Sequence, residues 1–145
     1  MGMYTELVLG LKVSSNDEII GMLKYMLDND NISKPTHADY SHKFFSTDRW
    51  SWMLIGSSYY FDGQTDSKLI RDDLFDGRPD YYLNVRCSIK NYNQEFQLFL
   101  DWLEPYIDTH GFLGYMRYEE DDDPTLIYHD KTYHTIDYKR LPIKE

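Results

Sequence analysis

The sequence predicts an α+β domain: a ferredoxin-like βαββαβ two-layer sandwich with an antiparallel-rich sheet, extended by a C-terminal β-hairpin. Two stretches, residues 4–13 and 81–90, alternate apolar and polar side chains at period two, and two others, 19–27 and 96–107, repeat apolar residues at helical spacing. Further β-rich runs lie between and after them, so the order is strand, helix, strand, strand, helix, strand, then a hairpin. Both helices are expected on one face of the sheet.

Tyr4 to Val13 opens the chain as a strand, with Leu7, Leu9, Leu11 and Val13 on one face and Glu6, Gly10 and Lys12 on the other. Ser15 and Glu18 have the S-x-x-E form of a capping box, and acids in a first turn suit the positive end of a helix dipole. The helix that follows carries Ile19, Met22, Leu23 and Met26 on one stripe and ends in the turn-forming run Asp28 to Asn31. Residues 32–48 lack a sustained period and are expected as loop. From Arg49 to Phe61 the β-formers return, with Trp50, Trp52, Leu54 and Tyr60 on one parity and Met53, Ile55 and Tyr59 on the other. Apolar residues on both faces mark this segment as a central strand.

Residues 62–79 form a long excursion with turn signals at both ends and an apolar patch, Leu69, Ile70, Leu74 and Phe75, suited to one helical turn. Tyr81, Leu83, Val85, Cys87 and Ile89 then alternate with Tyr82, Asn84, Arg86, Ser88 and Lys90 in the cleanest half-buried strand of the chain. Asn93 is the expected N-cap of the second helix, whose apolar stripe is Phe96, Phe99, Leu100, Leu103 and Ile107 and which Pro105 should end or kink. Strands are expected at Gly111 to Tyr118, Thr125 to Tyr128 and Tyr133 to Tyr138, the last two joined by a short turn at Asp130-Lys131.

The 145 residues suit a single domain, residues 1–145, able to bury roughly 68–70% of the surface its unfolded chain exposes. Hydrophobic residues make up 41% and aromatics 17%, too many for intrinsic disorder even at a mean hydropathy of −0.64. The net charge of −10 repels phosphate backbones and anionic lipid, so neither direct nucleic-acid binding nor membrane association is expected, and basic partners are attracted. One cysteine, Cys87, excludes an internal disulfide. With no basic-then-apolar leader and no membrane-length apolar run, the expected location is cytoplasmic. Met3 is the expected natural start, with Met1 and Gly2 as an addition.

No motif for a serine hydrolase, a dinucleotide or a phosphate loop is present, and no catalytic residue, metal or cofactor is assigned. Cys87 shares the inward parity of its strand and reads as a core residue rather than a reactive thiol. His37 and His42 flank Asp39 without the spacing of a zinc site. His129 and His134 straddle the last hairpin and are expected to face each other across it. Acids in the excursion, Asp72, Asp73 and Asp76, are the basis of a remote hydrolase alternative.

Tyrosine is the compositional oddity, at 14 residues, many on expected strands. Tyr82 and the tyrosines near the later strands suggest an aromatic, acidic sheet face, suited to a protein partner or to a homodimer interface. Residues 101–130 hold nine acids against one base, Arg117, and five of them, Glu119 to Asp123, are consecutive. Such a turn must be solvated, and it can keep the flanking strands from pairing with other chains. It can also meet a basic groove in a partner, because carboxylates beside tyrosines can imitate phosphates and bases. Tyr115, Tyr118, Glu119, Glu120, Asp121, Asp122, Asp123 and Tyr128 are the expected partner-binding residues.

The segments "GFLGYMRYEE" and "PTLIY", with "RWSWMLIGSSYYF" and "FLDWLEPYI", resemble a set of small, functionally uncharacterised bacteriophage and prophage proteins, from Met3 to about Tyr138. The resemblance carries over no site residue. It implies a protein that binds and modulates a host protein, in the manner of acidic inhibitors that occupy a basic nucleic-acid channel of a defence protein; the charge concentration and the missing catalytic motifs make the expected protein non-enzymatic. The alternative is a small-ligand-binding or sequestering module, its pocket lined by Trp50, Trp52, Tyr60 and the 62–79 excursion.

Overall fold

The structure is a computed structural model that describes residues 3–73 and 79–141. It is α+β: one six-stranded antiparallel sheet with two helices packed on one of its faces. The strands are β1 (Thr5–Val13), β2 (Lys68–Asp72), β3 (Asp80–Ile89), β4 (Gly111–Tyr118), β5 (Thr125–Asp130) and β6 (Thr135–Arg140), in spatial order β2-β3-β1-β4-β5-β6. Helix α1 (Asp17–Leu27) joins β1 to the segment leading into β2, and α2 (Glu95–Leu103) joins β3 to β4.

The alternation in the strands sets which face is buried. In β1 and β3, Leu7 pairs with Cys87, Leu9 with Val85 and Leu11 with Leu83, so every inward side chain meets another across the ladder. These residues, with Ile19, Met22, Leu23 and Met26 of α1 and Phe96, Phe99, Leu100 and Leu103 of α2, form one continuous core. Phe44 belongs to the same core and, with Phe45 and Trp50 packed against it, engages Trp102 and Phe99 through ring contacts of 4.9–6.1 Å. A short 3-10 turn at Lys43–Ser46 presents Phe44, which is fully buried.

Both helix starts differ from expectation in the capping residue. Asn16, not Ser15, caps α1: its Oδ1 accepts the Ile19 N–H at 3.2 Å. Before α2 the chain turns through a left-handed Gln94 rather than capping with Asn93, and Asn91 Oδ1 accepts the Phe96 N–H at 3.0 Å. Helix α2 gives way to a 3-10 turn at Glu104–Tyr106, where Pro105 removes a backbone donor.

The largest correction concerns the expected central strand at Arg49 to Phe61. Those residues form turns, including a 3-10 turn at Met53–Ile55, and the strand lies instead at Lys68–Asp72, inside the expected excursion. Both parities are apolar because the segment serves both faces of the sheet in turn. Met53 and Leu54 are buried on the helix side, after which the chain rounds the edge of β3 and buries Phe61 on the opposite, open face. It then returns to pair as β2. Along the way it seals the β3 edge: the Ser88 N–H donates to Gly56 O at 3.0 Å and the Asp66 N–H to Arg86 O at 2.9 Å. Leu74, Phe75 and Asp76 lie outside the described residues.

The final hairpin is also longer than expected. β5 runs to Asp130, β6 starts at Thr135, and a four-residue turn with His134 at φ 55° replaces the short one at Asp130-Lys131. Strand β4 breaks register between Phe112 and Gly114, and a Cβ on Gly114 would overlap the Val8 carbonyl of β1.

Candidate functional site

The strap of residues 57–65 crosses the open face of the sheet over a charged triad. Glu6 of β1 is opposite Arg117 of β4, and Arg86 of β3 is one diagonal step away, so the pleat directs all three side chains to the same face. Glu6 lies 3.5 Å from Arg86 Nη2 and 3.7 Å from Arg117 Nη2 and is only 2% exposed, because the strap covers it. Phe61 packs under the Arg117 guanidinium, 5.1 Å from its ring centre. Gly63 lies so close to Arg86 that any Cβ there would overlap the guanidinium. Glu6 Oε1 and Arg86 Nε are buried without a hydrogen-bond partner, so the triad is held by charge rather than by well-formed hydrogen bonds.

The same strap builds an exposed aromatic stack. Tyr60 packs on Tyr4 with ring centres 5.6 Å apart, and Tyr59 stacks on Tyr60 at 4.6 Å while remaining 88% exposed. A cleft of about 780 Å³ opens between Tyr4, Tyr59, Phe61 and the strap backbone. The acidic turn is tied to this stack. Glu119 accepts the Tyr4 N–H on its carboxylate, and its own N–H donates to Tyr4 O at 3.0 Å. Asp121 lies 3.7 Å from Arg140, whereas Glu120, Asp122 and Asp123 are exposed. The hydrogen bond to Tyr59 pushes the Tyr60 phenol up to about 12, and the nearby Glu119 charge adds to the shift. Burial, with Glu120 and Glu119, raises Tyr118 as well.

Glu119 to Asp123 and Tyr118 therefore stand together at one end of the sheet. Tyr115 and Tyr128 do not join them: they are half-buried on the open face, Tyr115 opposite Val8 and Leu126, Tyr128 against Phe112 with Lys139 over its ring at 4.6 Å. Tyr4, Tyr59 and Tyr60 take their place beside the acids. The expected ligand pocket of Trp50, Trp52 and Tyr60 is not formed. Trp50 is packed among Tyr25, Tyr40, Phe44 and Phe45 outside the helices, while Tyr60 is on the far side of the sheet, because the strap between them changes faces.

His129 and His134 do not meet each other. Both turn to Glu104, a buried carboxylate at the end of α2: His129 Nε2 lies 2.9 Å and His134 Nδ1 3.1 Å from Glu104 Oε2. His129 is 2% exposed, and its Nδ1 donates to Thr109 O. Of the other candidates, His42 bonds Asp101 at 2.8 Å, and Asp39 accepts the Ser41 N–H. Cys87 is buried, and burial pushes its thiol up. Asp73 pairs with Arg71 at 2.8 Å, and Asp76 lies outside the described residues. Among the described residues no three His, Cys, Asp or Glu side chains converge as metal ligands, and no helix is long and apolar enough to cross a membrane.

Two groupings escaped the sequence reading, the Glu6–Arg86–Arg117 triad and the Glu104 cluster. The first left a signal, since Glu6 and Arg86 both fall on the polar parity of their strands. For the second, the two histidines stood out as a hairpin pair, but nothing in the sequence tied them to Glu104, 25 and 30 residues away. Comparison with protein-family models, with curated proteins and with solved structures finds no match.

Proposed function

We propose that the chain is a non-enzymatic binding module that captures a basic protein surface, using the Glu120, Asp122 and Asp123 carboxylates together with the exposed Tyr59–Tyr60–Tyr4 stack. The observation that carries this reading is the anchoring of the acidic turn. Glu119 is bonded to the Tyr4 backbone at both its N–H and its carboxylate, so the exposed acids and the exposed ring of Tyr59 are held at a fixed spacing before any partner arrives. Rigid aromatics supply contact area at low entropic cost, and the neighbouring acids select for Lys and Arg. Spaced carboxylates beside aromatic rings suit a groove that otherwise holds nucleic acid, in keeping with the phage-protein resemblance and a cytoplasmic host target.

We infer in addition that the fold is ferredoxin-like. The order β2-β3-β1-β4 with α1 and α2 on one face is that of a ferredoxin-like split βαβ, to which the β5–β6 strands add an extension. The acidic turn is the junction between that unit and the added hairpin.

The test is capture from host lysate at about 0.15 M salt followed by elution at about 0.5 M, where charges are screened over a shorter distance. It compares the native chain with Glu120→Gln/Asp122→Asn/Asp123→Asn and with Tyr59→Ser. Glu119 is kept because it holds Tyr4. The reading expects a basic protein, eluted by salt and lost in both variants. Retention of the same protein by the neutralised turn overturns it.

A further inference from the structure

We propose that the cleft between α2 and β6 is a binding site for a small organic cation, an alkylammonium or alkylguanidinium group carrying a short aliphatic chain. The cleft, of about 410 Å³, exists because β6 lies beyond the helical layer and is exposed along most of its length. Leu98 and Ile136 form its apolar walls, and Gln97, Asp101, Glu104, His134 and Tyr138 supply its polar lining.

The polar groups are mostly acceptors with capacity to spare. Glu104, with a side chain one-tenth exposed, uses Oε2 to accept from both His129 and His134, and no hydrogen bond among the described residues reaches its Oε1. Because a carboxylate accepts, His134 carries its hydrogen on Nδ1, and in the neutral ring Nε2 is left as an acceptor. Asp101 is held through Oδ2 by His42, leaving Oδ1. The lining holds no Lys or Arg among the described residues, and the imidazoles beside it, His129 and His134, are both turned to Glu104 Oε2. A ligand that donates several hydrogen bonds, carries positive charge and ends in a few methylene groups satisfies each of these features.

The pocket is preformed. His134 is kept at φ 55°, a left-handed conformation uncommon for a residue other than glycine, and its bond to Glu104 helps hold it there. His129 is fixed in turn by Thr109 O, so the carboxylate has a second, buried support. The site is independent of the acidic turn, from which it is separated by the length of β5, about 20 Å at ordinary strand rise.

The experiment is a chemical-shift titration of the full chain with n-butylguanidinium and n-butylammonium, and with n-butanol as the neutral isostere. Saturable shifts confined to Leu98, Asp101 and 134–138 are expected for the two cations and not for butanol. N-acetylarginine amide shifting the same residues would identify the source as a peptide side chain, and silence from it would identify a free small molecule. Glu104→Gln should weaken binding at least about tenfold, the worth of one charge-assisted hydrogen bond. Asp101→Asn, on an exposed side chain, makes the same point should the buried substitution unfold the protein. Absence of saturable shifts, an equal response to butanol, or shifts centred on residues 119–123 would each overturn the proposal.

Discussion

Replacing Glu6 with Gln tests whether the strap turns an ordinary exposed strand position into a buried one. Removing one member of a buried ion pair costs about 3–5 kcal/mol when the partner charge is stranded. Here the partners, Arg86 and Arg117, keep 42 and 36% of their side-chain surface in water and can re-solvate, which brings the expected loss to about 2 kcal/mol. Phe61→Ala removes the ring that closes the strap over Arg117; for an aromatic buried at the rim of the structure the cost should be about 3 kcal/mol. If the strap is what buries Glu6, the two losses overlap: with Phe61 gone, water reaches the triad and Glu6→Gln costs less. The double variant should therefore be more stable than the sum of the single losses allows, by about 1 kcal/mol. Urea unfolding followed by circular dichroism and by tryptophan fluorescence measures all four corners of the cycle. Strict additivity, or a Glu6→Gln chain within about 0.5 kcal/mol of the native one, would refute the argument that the strap and the triad form one unit.

Cys87 should resist a thiol reagent in the native state and react only at the rate of unfolding, since its thiol is buried and its ionisation is pushed up by that burial; prompt labelling would place it elsewhere. Tyr138, pushed up to about 12 by burial with Asp101 adding, should ionise late in a spectrophotometric titration. Its folded-state value lies above the ordinary 10, so its contribution to stability is complete below pH 10 and is lost as pH rises from about 10 towards 12. Tyr138→Phe should flatten that alkaline decline, and an unchanged decline would assign it to other groups.

The clearest strands and the two helices were legible in the sequence because each is specified by its own side chains. Leu7, Leu9, Leu11 and Val13 cannot be buried together except on one face of a strand, and Ile19, Met22, Leu23 and Met26 only on one face of a helix. The acidic turn was legible for the same reason, since consecutive carboxylates repel one another wherever the chain goes. Residues 49–61 misled because period-two reasoning assumes that a segment stays on one side of its sheet. Met53 and Leu54 go to one face and Phe61 to the other, and only the shape of the β3 edge, which the strap rounds, distinguishes that path from a central strand with two apolar faces.

The site residues divide along the same line. Composition and local order determined that the chain would be acidic, aromatic and built around a half-covered sheet. Tertiary structure decided which tyrosines stand beside the acids, Tyr4, Tyr59 and Tyr60 rather than Tyr115 and Tyr128, because the strap carries Tyr59 and Tyr60 across the sheet to the start of β1. It also decided that His129 and His134 meet Glu104 instead of each other. A side chain's face follows from its neighbours in sequence, but its partner is whatever the packed chain places within hydrogen-bond reach, and for Glu104 that partner comes from another layer of the fold.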